Sequence, residues 1–152
     1  MKLWMLFVLL TVMCWGAYVP MIHHGQMAMG KGGQLRAFLF VGLAYFVIAV
    51  LVPALLLARG VEPREFTRSG MTLATLAGVL GALGALGIIF ASKYGGKPIF
   101  VAPLVFGGAP IINTFVAMTW DKPQKAPSAW FYIGILLAAA GAALVLRFKP
   151  ST

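Results

Sequence analysis

Residues 98–118 read PIFVAPLVFGGAPIINTFVAM, with no charged side chain among them. A helix needs about 20 apolar residues to cross the hydrocarbon core of a bilayer. Four other stretches of this chain, 3–30, 37–58, 69–92 and 126–146, are also free of Lys, Arg, Asp and Glu. Each is as long as the quoted run or longer. All charged residues fall outside these five stretches, and over the 152 residues only 10% are charged while 61% are hydrophobic. Soluble domains carry about 25% charged residues. The pattern predicts five membrane-spanning helices at about 3–22, 37–58, 70–91, 98–119 and 129–147. The first stretch is overlong, so its helix is expected to stop near Ile22, leaving residues 23–36 as a Gly-rich polar loop. The other links, 59–69, 92–97 and 120–128, are too short to fold as domains. Backbone polar groups in lipid must be satisfied internally, so the expectation is one all-α polytopic bundle.

Lys2 followed by an apolar run also fits a signal peptide, but the run continues past the usual length and no A-x-A site follows. Residues 11–14, TVMC, lack the small residue expected before a lipoprotein cysteine. An uncleaved first span is the expectation. Cys14 is the one cysteine, so no intramolecular disulfide can form.

The net charge is +9. In a soluble protein this would suggest nucleic acid. Here the basic residues flank spans and meet anionic head groups, so membrane lipids and no nucleic acid are expected as partners. Five spans put the termini on opposite sides. Lys2, Arg59, Arg64, Arg68, Lys122 and Lys125 lie on the N-terminal side; Lys31, Arg36, Lys93, Lys97, Arg147 and Lys149 lie on the other. Orientation is set by an excess of Lys and Arg on one side, and this division has none. One consequence is insertion both ways round, followed by antiparallel pairing. The other is that the dense arginines of 59–68 decide, placing the N-terminus in the cytoplasm.

Two spans carry rows of small residues, which let helix backbones approach in lipid. The third has Gly78, Gly81, Gly84 and Gly87, with Ala77, Gly81 and Ala85 at four-residue spacing; the fifth has Gly134, Ala138 and Ala142. In the fourth, Pro103 and Pro110 share roughly one face. Each removes a donor and frees a carbonyl four residues earlier. Gly107 and Gly108 sit between them, and Asn113 and Thr114 follow near the same face. A bent helix with free carbonyls and an amide is one way to build a midplane solute site. The other reading is a kinked helix whose Asn113 satisfies a neighbour.

The stretch WGAYVPMIHHGQMAMG, residues 15–30, contains both histidines of the chain. Neighbours on a helix point about 100° apart, so His23 and His24 cannot easily share one metal. Met21, Met27 and Met29 would suit Cu(I), but the spacing matches no metal motif, and neither metal nor cofactor is expected. The pair can gate or sense pH near neutrality, or form the rim of a cavity with one ring facing a vestibule and one the head groups. No enzyme is expected. The serines, Ser69, Ser92, Ser128 and Ser151, lie outside the spans or at their ends. The three acidic residues, Glu62, Glu65 and Asp121, sit at helix ends, and GMTLATLAG (70–78) lacks the lysine of a phosphate loop.

Trp15-Gly16 deep in the first span, the proline-bearing fourth span, and FYIGILLAAAGAALVL (131–146) with Gly134 and Gly141 together resemble the drug/metabolite transporter superfamily. The likeness is to its EamA-type half domain and covers essentially the whole chain, through apolar motifs of moderate specificity. The resemblance implies half of an inverted-repeat fold in a bacterial inner membrane. It implies pairing as an antiparallel homodimer, or with a related five-span chain, and a small organic metabolite as solute. The expected solute cavity is lined by Trp15 and Tyr18 of the first span and Asn113 and Thr114 of the fourth. The chain departs from the family's small multidrug members in having no glutamate in the first span. Where a Gly-Glu pair is common between the last two helices, it has Trp120-Asp121-Lys122. Carboxylate-coupled cation export is therefore not expected. A non-transporting accessory or assembly subunit and a lipid-linked sugar flippase remain as alternatives.

Overall fold

The structure is a computed structural model that describes residues 2–120 and 123–149. Asp121 and Lys122, which entered the charge division and the family comparison, lie outside the described residues. Among the described residues there is no strand, and five helices are long and apolar enough to cross a membrane. They are α1 (Leu3–Ala28), α2 (Gly33–Ala58), α3 (Arg68–Lys93), α4 (Pro98–Trp120) and α5 (Ala129–Arg147).

The main departure from expectation is at the end of α1, which continues through His23, His24, Gly25 and Gln26 to Ala28 instead of stopping near Ile22. Helix propensity is a weak prior that tertiary context overrides, so polar side chains alone do not end the helix. What ends it is Gly30, in the left-handed region at φ 71, where a side chain would strain the backbone. The Gly30 N–H donates to the Met27 carbonyl at 3.0 Å, and α2 begins at Gly33, earlier than expected. The link shrinks to a tight turn. Arg36 closes it by donating to the carbonyls of Met29 and Lys31, both at 2.8 Å.

A similar device closes the far end of α2. Gly60 has φ 73; its N–H bonds Leu57 O and the Val61 N–H bonds Leu56 O, a Schellman cap. Arg64 then donates to the carbonyls of Leu57 and Ala58 at 2.8 and 2.7 Å. Within α2, residues Val47–Leu51 widen into a π turn, with the Val52 N–H bonding back to Val47 O. The cause is Pro53, which has no N–H and whose ring would strike the carbonyl one turn earlier. Thr67 starts α3 by accepting from the Gly70 N–H at 3.2 Å.

The chain forms two compact units, residues 20–95 and residues 1–19 with 96–152. In the first, the end of α1, the start of α2 and the end of α3 meet around buried Ile22, Ala37, Ile88 and Ile89. Gly33 is buried there, and a Cβ on it would collide with the carbonyl of Gln26. In the second, α4 and α5 run antiparallel. Lys149 lies over the ring of Phe100 at 5.0 Å, and a Cβ added to Gly107 would sit 2.7 Å from that of Ala142 and 3.5 Å from the Ala138 carbonyl. Half of the small-residue reading thus has a partner inside the chain, because Ala138 and Ala142 receive Gly107. The α3 row has none: a Cβ at Gly78, Gly81, Gly84 or Gly87 would meet nothing within 4 Å.

Buried apolar side chains are few, while Leu80, Ile48 and Leu136 are about two-thirds exposed or more. Lipid tails are as apolar as leucine, so no hydrophobic force drives these faces together. Gly107→Ala is expected to destabilise the chain by about 1–3 kcal/mol through overpacking. Gly81→Ala, on the open row, is expected to be neutral or slightly stabilising. Unfolding in mixed micelles by titration with a denaturing detergent would read both. Equal effects at the two positions would contradict the assigned α4–α5 contact.

Candidate functional site

Extending α1 to Ala28 puts His23 and Gln26 three residues apart on one helical face. That face meets Ser92 at the end of α3 and Gln34 at the start of α2, around a cavity of about 290 Å³ within the 20–95 unit. Lys31 and the glycines of the tight turn complete its rim, and Met27 adds an apolar edge. His24 is exposed and points elsewhere; its ring centroid is 6.0 Å from that of His23, at 76°. The two histidines therefore have different surroundings.

The polar lining has an unusual property. His23 Nδ1, Gln26 Nε2 and Ser92 Oγ are all buried, and none has a hydrogen-bond partner among the described residues. Gln26 is only 4% exposed. An unpaired buried polar group costs about 1–3 kcal/mol, and native proteins carry few of them. Three such groups on residues that line one cavity make it a candidate site for a polar ligand or for water. The volume is at the low end for small-molecule sites. Among the described residues, no group of three His, Cys, Asp or Glu side chains comes together to hold a metal.

The residues expected around a solute lie in the other unit. Trp15 and Tyr18 stack loosely on α1, with centroids 6.4 Å apart, and Trp15 meets Phe106 of α4 edge-on at 6.1 Å. Tyr18 is half-buried. Asn113 follows two turns beyond Phe106 on α4, with its side chain exposed. Thr114 donates its hydroxyl to the Pro110 carbonyl at 2.8 Å, so its proton is already in use within α4. Pro103 and Pro110 both lie inside an otherwise continuous helix. The aromatic pair thus contacts the proline-bearing helix, while Asn113 faces outward from this single chain.

Gln26, Ser92, Gln34 and Lys31 were not singled out from the sequence as site residues. The signal for Gln26 was its three-residue spacing from His23, readable only once the helix is known to pass Ile22. No family model, curated protein or solved structure matches this chain.

Proposed function

We propose that this chain is a subunit of an integral membrane transporter for a small organic metabolite, working as an antiparallel dimer. Five apolar helices make it a membrane protein. The observation that favours transport over a purely structural role is the polar cavity. Unpaired buried His23, Gln26 and Ser92 groups at the ends of apolar helices have a cost that solute handling would explain. The resemblance of the Trp15-Gly16 span and the last two helices to drug/metabolite transporters points the same way.

Pairing has its own support. Asn113 is exposed about 10 Å from the end of α4, within the depth of the hydrocarbon. A primary amide facing lipid is unfavourable, and a second subunit would cover it. The even division of Lys and Arg leaves either facing open to a newly made copy, and two opposed copies recreate an inverted repeat. In such a dimer Trp15, Tyr18, Asn113 and Thr114 would line the path, and rocking of the bundles would alternate access.

An accessory role has one observation in its favour, the unfilled row of small residues on α3, which suits a close-packing helix of another protein. Two experiments separate the readings. A reporter on the C-terminus should score on both sides of the membrane. Gln124→Lys, adding a charge to the exposed link before α5, should swing the population toward a cytoplasmic N-terminus. A single facing that ignores the added lysine would refute dual insertion. In proteoliposomes loaded with a pool of labelled metabolites, at least one solute should exchange on the order of tenfold faster than in protein-free vesicles. Asn113→Ala should slow that exchange. Leakage no greater than in empty vesicles for every solute would favour the accessory role.

A further inference from the structure

The cavity between the end of α1, the start of α2 and the end of α3 is lined by residues that carry donors. Gln26 Nε2 carries two N–H groups, Ser92 Oγ one O–H, and the His23 ring can present N–H at Nδ1. None of the three atoms has a hydrogen-bond partner among the described residues. Lys31 adds an ammonium group and Gln34 a second amide. No described lining residue carries a carboxylate. Glu62 and Glu65, the described acidic residues, lie past the opposite end of α2. A cationic solute would find no counter-charge here. A fully apolar one would leave the buried donors unpaired, which is the costly case. A group with several acceptor atoms and a negative charge satisfies all of them, since charge-assisted bonds are the stronger ones.

We infer that this cavity receives an oxyanion, the carboxylate or phosphate of a small molecule. Lys31 neutralises its charge, and the free donors of Gln26, His23 and Ser92 orient it. This deepens the transporter reading by naming the chemical class of solute; binding itself does not depend on that reading. The volume of about 290 Å³ admits a small acid or a head-group-sized fragment. The anion has two possible sources, the aqueous phase or an anionic lipid, and both present the same chemistry to these donors.

The test uses the full chain in dodecyl maltoside micelles titrated with inorganic phosphate, against sodium chloride at matched ionic strength. Phosphate should raise the unfolding temperature beyond the chloride control. Gln26→Leu and Lys31→Met should each weaken binding on the order of tenfold. His24→Ala, outside the cavity, should leave it unchanged. Should Gln26→Leu fail to fold, the side-chain amide resonance of Gln26 in the unaltered chain decides: it should shift on phosphate addition. In a second arm, phosphatidylglycerol is added to the micelles. Competition with phosphate assigns the site to a lipid head group, and no competition assigns it to a soluble anion; both uphold an oxyanion site. Stabilisation no greater than chloride with an unmoved Gln26 resonance overturns it, as does equal binding by Gln26→Leu and Lys31→Met. Phosphate binding without flux of any solute would keep the site and remove the transporter. Anion flux indifferent to Gln26→Leu would keep the transporter and remove the site.

Discussion

A bilayer core offers no water, so every polar group placed in it must be bonded within the protein or kept wet by a cavity. Most of this chain obeys the first option. Thr11, Thr72 and Thr114 return their hydroxyl protons to carbonyls one turn earlier. Arg36 bonds the Met29 and Lys31 carbonyls in the turn between α1 and α2, and Arg64 bonds the Leu57 and Ala58 carbonyls at the end of α2, so two residues that count as topological anchors also close helix ends. Pro53 is accommodated by a π turn. Against this background the exceptions stand out: the exposed amide of Asn113 and the three unpaired groups around the α1–α2 corner. They motivate the two halves of the functional reading, a second subunit and a solute.

The same constraint shapes packing. With lipid outside, burying leucine against leucine gains little, and close contact falls to small residues. Gly107 against Ala138 and Ala142 is such a contact, and Gly33 against the backbone of Gln26 is another. The second bears directly on the site, because it holds the start of α2 against the end of α1 and keeps the cavity small. The row on α3 is equally smooth, yet a Cβ at its glycines would meet no neighbour within 4 Å among the described residues.

Helix number was legible from the positions of charge alone, since a charge inside a span is too costly to be common. The proline-rich α4 matched its expected limits closely for the same reason. The end of α1 was not legible. His23, His24, Gly25 and Gln26 look like loop residues by water-based propensities, and tertiary context overrides such propensities. Once α1 is extended, His23 and Gln26 fall on one face, but their meeting with Ser92 is tertiary and leaves no trace in local spacing. That His23 lines the cavity while His24 is exposed follows from the 100° step between them, which the sequence does contain.

The central claim is that the corner formed by His23, Gln26 and Ser92 is a wet polar cavity in a protein otherwise surrounded by lipid. Solid-state NMR of the chain in bilayers, with magnetisation transferred from water, tests it directly. The Gln26 side-chain amide and the His23 ring nitrogens should receive water magnetisation rapidly, while buried Ile22 and Ile89 beside them should not. A Gln26 amide as dry as Ile89 would contradict the account.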